Sequence, residues 1–328
     1  MKKKLLSLAS AAVCAAYVLT GCGAAQTTSQ SAAQAQQLSV VSTIFPSYDF
    51  ARQIAGDNAQ VTMLLHPGAE SHSYEPTPQD IKTIQNCDLF IYTGGENDVW
   101  VEDILASMGD KKPATLKMMD CVQTVTEELV EGMEDDHDHE EADSHAEEHA
   151  EEPELDEHVW TSPKNAIQIV NAIAQAMSEK DAEHAAAYEA NRAAYTQQLT
   201  QLDEDFRQVV DNAPNKTVLF GDRFPFRYLA DEYGLSYYAA FSGCSTETEA
   251  SAATVAFLTN KVTELNIPVV FTIELSNGKI ADSICDATGA QKLTLYSCHN
   301  VTKDQMEQGV TYLSMMQQNV ESLRTALA

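Results

Sequence analysis

Three histidines stand where side chains can meet a ligand. His72 lies in the loop His66-Pro-Gly-Ala-Glu-Ser-His-Ser-Tyr-Glu-Pro76, His158 in Asp156-Glu-His-Val-Trp160, and His299 in Tyr296-Ser-Cys-His-Asn300. Each follows a strand-like segment or falls at a junction between candidate domains. In open α/β sheets, ligands bind in the loops outside the carboxyl ends of the strands. A lone loop histidine is more often a hydrogen-bonded polar residue than a ligand. Three of them, in a chain that also carries a tract of histidines and acids, point to metal ligation. Three neutral imidazoles with an open fourth position suit tetrahedral Zn²⁺, at Zn–N distances of about 2.0–2.1 Å. A manganese site is expected to hold more carboxylates, whereas raw affinity does not separate zinc from copper or nickel.

The tract runs over residues 131–157. More than half of it is acidic, it holds His137, His139, His145 and His149, and it contains no Lys or Arg. Such a block repels itself and is expected to be a disordered loop, dispensable for folding. The whole chain is acidic as well, with a formal net charge of −29. That charge repels a phosphate backbone and attracts cations, which argues against a nucleic-acid partner. Catalytic signatures are missing. His145-Ala-Glu-Glu-His149 does not place its acids as HExxH requires, and there is neither a GxSxG elbow nor a Gly-rich phosphate loop. The reading is a binding protein, not an enzyme.

The first residues set the compartment. Lys2, Lys3 and Lys4 precede a largely apolar stretch at 5–19 that is too short to span a bilayer, and Leu19-Thr20-Gly21-Cys22 follows. The run resembles a lipobox, which implies cleavage before Cys22 and lipidation of its thiol. Residues 1–21 are thus expected to be a signal peptide and 22–37, rich in Ala, Gln, Ser and Thr, a flexible tether. No later apolar run is long enough to cross a membrane, so the expected location is the extracytoplasmic face of the cell membrane, held by lipid. Cys87, Cys121, Cys244, Cys285 and Cys298 remain, without CxxC spacing. An oxidising exterior permits disulfides, with Cys244–Cys298 the preferred pair and buried free thiols the alternative.

To bring the three histidines together the chain must build a scaffold, and its pattern shows which kind. From Leu38 onward, short β-branched runs alternate with helical stretches. Strands are expected at 38–45, 59–65 and 89–92, with helices at 48–55, 79–86 and 100–107. A long helical stretch at 165–212 follows, divisible at 178–183. Beyond it lie strands at 217–220, 268–271 and 292–296, and helices at 251–264, 279–288 and 305–327. The fold class is α/β: two lobes, each with a mostly parallel sheet flanked by helices, joined by a single long backbone helix. The boundaries are 38–160 for the first lobe, with a loop at 131–155, then 161–213 for the link and 214–328 for the second lobe.

These segments resemble the metal-binding receptors of zinc and manganese ABC importers, the cluster A-I (cluster 9) solute-binding proteins, from about Val40 to the C-terminus. Pro67-Gly68 through Ser71-His72-Ser-Tyr74-Glu75-Pro76-Thr-Pro78 is similar to the first-ligand motif. Asp88-Leu-Phe-Ile-Tyr92 with Gly94-Gly95 and Trp100 is similar to the next strand and turn, and Asp156-Glu-His158-Val-Trp160 with Pro163 and Asn165 to the second-ligand motif. Gly309-Val-Thr-Tyr312-Leu-Ser-Met315-Met-Gln-Gln-Asn319 is similar to the last helix. The resemblance implies metal bound between two lobes, small lobe motions, a monomer, and an ABC importer permease as partner. It also implies that the acidic tract is a His-rich loop gathering metal weakly. One position departs from the pattern. Matching Phe226 and Tyr233-Gly234-Leu235 puts Arg223 where the family carries a third ligand, and a guanidinium has no lone pair to give. Asp222 beside it is a candidate, though it could equally pair with Arg223 or Arg227. His299 occupies the loop of the fourth ligand. The expected set is therefore His72, His158 and His299, completed by water or a carboxylate such as Asp222, with Glu247, Glu249 and Glu274 as weaker candidates. Asp156 or Glu157 could orient an imidazole. The implied function is extracytoplasmic zinc delivery to an importer. The alternatives are a manganese receptor of the same family or a metal-binding adhesin-type lipoprotein.

Overall fold

The computed structural model describes residues 37–133, 154–245 and 249–328. The expected signal peptide, Cys22 and most of the tether lie outside them, as do His137, His139, His145, His149 and Glu247. No helix among the described residues is long and apolar enough to cross a membrane.

Two four-stranded parallel sheets organise the chain. The first lobe runs β1 (Leu38–Ser42), α1 (Phe45–Ala55), β2 (Ala59–Met63), α2 (Pro78–Gln85), β3 (Leu89–Tyr92), α3 (Val99–Met108) and β4 (Ala114–Lys117), in the sheet order β2-β1-β3-β4. Of its two central strands β3 reads as an unbroken apolar run and β1 carries Val40 and Val41 at its middle, because helices cover both faces of a parallel sheet. Val40, Val41, Phe90 and Ile91 are accordingly at most 1% exposed. After α4 (Pro163–Lys180) and α5 (Ala185–Asp211), the second lobe repeats the plan. It runs β5 (Thr217–Phe224), α6 (Arg227–Tyr233), β6 (Ser236–Ser242), α7 (Ala252–Leu265), β7 (Val269–Thr272), α8 (Lys279–Thr288) and β8 (Gln291–Thr294), in the order β6-β5-β7-β8. The chain ends with α9 (Lys303–Glu307) and α10 (Tyr312–Ala326).

The structure resolves two ambiguities of the sequence. The stretch 161–213 is two helices. Asp181 breaks it: its carboxylate accepts from the Tyr188 hydroxyl at 2.7 Å, and pairs with Nδ1 of His184 at 2.7 Å. The first helix, α4, starts on a Ser162 cap with Pro163 behind it and packs on α1, β3 and β4, so it belongs to the first lobe. The single long connector is α5, which touches α1 on one side and α6 and α10 on the other. The terminal helix expected at 305–327 is also split. Gly309 takes φ +72°, and each half starts with its own capping box, Thr302 with Gln305 and Thr311 with Ser314.

The described ends of the acidic tract, residues 131–133 and 154–157, make contacts of their own. Thr126 bridges Leu155, Glu131 lies 3.6 Å from Lys261, and Gly132 packs on the Phe257 ring. The return arm leads straight into His158.

One apolar cluster runs through both lobes and the connecting helices. Trp160, wholly buried, stands in it two residues after His158, and its indole Nε1 donates to the Ser297 carbonyl of the second lobe at 2.7 Å. The Tyr312 hydroxyl donates to the Trp160 carbonyl at 2.7 Å. Trp160→Ala is expected to cost about 3–5 kcal/mol in urea unfolding. Val99→Ala, at a side chain 54% exposed, should stay within about 0.5 kcal/mol of the parent.

Candidate metal centre

His72 comes from the loop between β2 and α2, His158 from the turn before α4, and His299 from the loop after β8. The structure brings all three together. One nitrogen from each lies within 4.8 Å of the others, the single such grouping of metal-ligating side chains among the described residues. Ring centroids are 5.0 Å apart for His72 and His299, 5.4 Å for His158 and His299, and 5.7 Å for His72 and His158. A tetrahedral zinc asks for nitrogens about 3.4 Å apart, so modest side-chain rotation closes the triangle.

His158 is the most constrained. It is fully buried, and its Nδ1 faces Asp156 Oδ1 at 3.2 Å, an oxygen that also accepts from the His158 backbone at 2.8 Å. The carboxylate favours the tautomer with the proton on Nδ1. Nε2, a buried nitrogen with no hydrogen-bond partner, then carries a lone pair toward the other two rings. Burial presses the pKa of His158 down, but the charge and hydrogen bond of Asp156 outweigh it and hold it above the ordinary histidine value. Gly243 packs beneath the ring, where a Cβ would lie 3.2 Å from His158 Cε1 and 3.0 Å from the Phe224 carbonyl.

His299 is held through its backbone. Its N–H donates to Glu274 Oε1 at 3.0 Å, and the same carboxylate accepts from the N–H and hydroxyl of Ser297, both at 2.7 Å. The preceding Cys298 takes φ +61°, a left-handed conformation that this brace stabilises. Burial pushes the pKa of His299 well below the usual range, and the neighbouring His72, His158 and Arg223 push it the same way, so the ring stays neutral.

The loops of His72 and His299 are stitched across the lobes. The Asn300 amide donates to the carbonyls of His66 and Ala69 at 2.9 and 2.8 Å, and the Gly68 N–H donates to the Val301 carbonyl at 2.8 Å. The His299 carbonyl accepts from the Phe45 N–H at 3.4 Å, supplying a partner for an otherwise open donor at the start of α1. This preorganisation, carried by Asn300, is not legible from the sequence. Its one signal is a short polar residue beside a ligand.

Asp222 is not brought to the cluster. Its Oδ2 accepts from the Thr272 hydroxyl at 2.7 Å and its Oδ1 from the Arg223 N–H at 2.9 Å, which ties it to β7 and to its own strand. Arg223 lines the histidine cavity, and its guanidinium bonds Glu70. Burial raises the pKa of Glu70, but Arg223 reverses the effect and leaves it below the ordinary value. Arg227 pairs with Asp231 and Glu128. Glu274 braces the His299 loop, and Glu249 is exposed outside the cluster. Asp156 orients an imidazole, as one of the two candidates for that role, while Glu157 packs against Gly95. The Cys244–Cys298 disulfide does not form: all five described cysteines are free. Cys298 points into the core near Tyr195 and Tyr312, whereas Cys244 faces Glu127, Asp156 and Glu157.

Two parallel-sheet lobes meeting at three convergent imidazoles define a bilobed α/β protein with a cluster of the kind that can hold a metal ion. The chain belongs to the ZnuA family, described as zinc-uptake complex component A, periplasmic, whose model matches residues 40–326. Among its relatives is the high-affinity zinc uptake system protein ZnuA of Bacillus subtilis, 32% identical over 100% of this chain and 99% of that protein. The zinc-binding protein AdcA of Streptococcus pyogenes is 33% identical over 88% of this chain but only 56% of its own length, so the chain spans little more than half of that relative. The crystal structure of the Zn(II)-bound ZnuA-like domain of AdcA from Streptococcus pneumoniae superposes with a TM-score of 0.72 at 29% identity, covering 89% of this chain and 99% of that one.

Asp156→Asn removes the charge that raises His158. Its pKa is expected to fall, as read by NMR titration of the ring, and metal affinity to drop about 10–100-fold. An unmoved pKa would mean that Asp156 does not control the ring.

Proposed function

We propose that this chain captures Zn²⁺ outside the cytoplasm and delivers it to the permease of an ABC-type importer, tethered to the membrane by lipid on Cys22. The observation that carries the reading is the convergence of three imidazole nitrogens from separate loops, one of them the buried, unpartnered Nε2 of His158. Burying a polar nitrogen without a partner costs free energy that a bound cation returns. An all-nitrogen protein set favours zinc over manganese, which asks for oxygen ligands. The names of the relatives and the zinc-bound neighbour support the same choice. The role is capture and release, not catalysis. The acidic surface concentrates cations near the site, and the histidines at 137, 139, 145 and 149 add weak binding that feeds it.

Competition titration against a chromophoric chelator tests the reading. The parent should show one tight zinc site, and His299→Ala should weaken it by at least about 100-fold, or roughly 2.7 kcal/mol. Preference for manganese, or no tight site at all, would overturn it.

The pH dependence follows from the two shifted histidines. Metal binds only the neutral rings, so protons compete below each pKa. His158, raised by Asp156, begins to compete above the ordinary histidine range, while the depressed His299 protonates last. Zinc affinity should therefore decline on the way from about pH 8 to 5, beginning above the usual value near 6.5. A constant affinity over that interval would rule out a histidine-dominated site.

A further inference from the structure

We propose that Glu70 and Arg223 form an inter-lobe latch that closes the metal cavity and sets the rate at which zinc leaves it. The proposal rests on the zinc-capture reading above. Glu70 belongs to the first lobe, two residues before His72, and Arg223 to the end of β5 in the second. The two fork together, with Nη2 to Oε2 at 3.1 Å and Nη1 to Oε1 at 3.4 Å, and Nη1 also donates to the Ser245 carbonyl at 3.0 Å. Paired charge-assisted bonds of this kind fix geometry as well as energy. The irregularity in β5 between Phe220 and Arg223 breaks the strand register at the residue that reaches across.

The position of the pair gives it its role. Glu70 and Arg223 line the cavity that holds the three histidines. They also line a second cavity, of about 170 Å³, whose walls include Asp222, Asn277 and Ile280. The ion pair is thus shared by the walls of the histidine cavity and of its neighbour. Its two ends differ in exposure: the Arg223 side chain is 11% exposed and that of Glu70 46%, so the guanidinium sits inside and the carboxylate at the rim. Leu275, in a left-handed conformation with φ +62°, borders both cavities beside it.

The adjoining stitch between the His72 and His299 loops engages the main chain. Opening it means breaking the Gly68–Val301 bond and both Asn300 bonds, which moves two loops of the main chain. The Glu70–Arg223 wall opens by side-chain rotation alone. It is therefore the low-barrier exit, and its barrier includes separating a largely buried guanidinium from its carboxylate. Truncating a partner of such a pair acts chiefly on dissociation.

The test is zinc release from the loaded mature chain into excess EDTA, followed by stopped flow, for the parent, Glu70→Gln, Arg223→Gln, the double variant and the exchange Glu70→Arg with Arg223→Glu. Each single variant should release zinc roughly tenfold faster. The double variant should be no faster than either single one, and the exchange should return release toward the parent rate. Rates unchanged from the parent, additive effects, or no recovery in a folded exchange variant would overturn the latch. Slower release in Arg223→Gln with faster release in Glu70→Gln would overturn it too, since Glu70 would then be acting as a ligand freed from its partner. A parent with no tight zinc site would sink the capture reading itself. A parent that binds tightly, with variants that release at its rate, sinks only the latch.

Discussion

Trp160 is sealed between the two lobes, and the histidine cluster is built around it. Its indole donates to the Ser297 carbonyl, its own carbonyl accepts from Tyr312, and its ring lies 4.9 Å from that of His299 and 5.5 Å from that of His158. A large apolar side chain with one donor has few ways to be buried at no cost, because the N–H must find an acceptor while the ring finds packing. Here both demands are met only when the turn before α4 and the loop after β8 lie side by side. That juxtaposition sets His158 against His299. The long helix α5 and the terminal helix α10, packed together and each touching α1 as well as elements of the second lobe, hold the arrangement from behind.

The three histidines share a cavity but not an electrostatic environment. Asp156 favours the charged form of His158, whereas burial and like neighbours keep His299 neutral. Three protonated rings at these distances would repel one another strongly, and the opposite shifts avoid that state. They also divide the labour. One imidazole is oriented by a carboxylate on its far nitrogen, and another is fixed through its backbone by Glu274 and Asn300. Both devices spend buried polar groups on geometry, and each of those groups finds its hydrogen bonds.

Arg223 gives the site its individual character. A cation beside a metal site is electrostatically unfavourable unless a carboxylate compensates it, and Glu70 does so across the lobe boundary. A position that could have held a ligand instead holds part of the wall. The three imidazoles and the charged pair thus share one cavity, with the pair at its edge.

The sequence alone determined the lobes, most of the elements and the three histidines. Apolar runs of strand length, helical periodicity and polar loop chemistry are local signals, and each histidine sits in a short motif of its own. It marked the interval 178–183 in which the stretch 161–213 breaks, but not the cause, since Asp181 stops a helix only by engaging His184 and Tyr188. Nor did it show that Asp222 turns away to Thr272, that Cys298 faces the core, or that Glu70 and Asn300 hold the site together. Those roles depend on partners as far as 234 residues away in the chain. Local sequence fixes which groups are available, because side-chain chemistry and backbone preference act over a few residues. Only the packed tertiary structure decides which of them meet, because burial makes every polar group compete for partners across the whole fold.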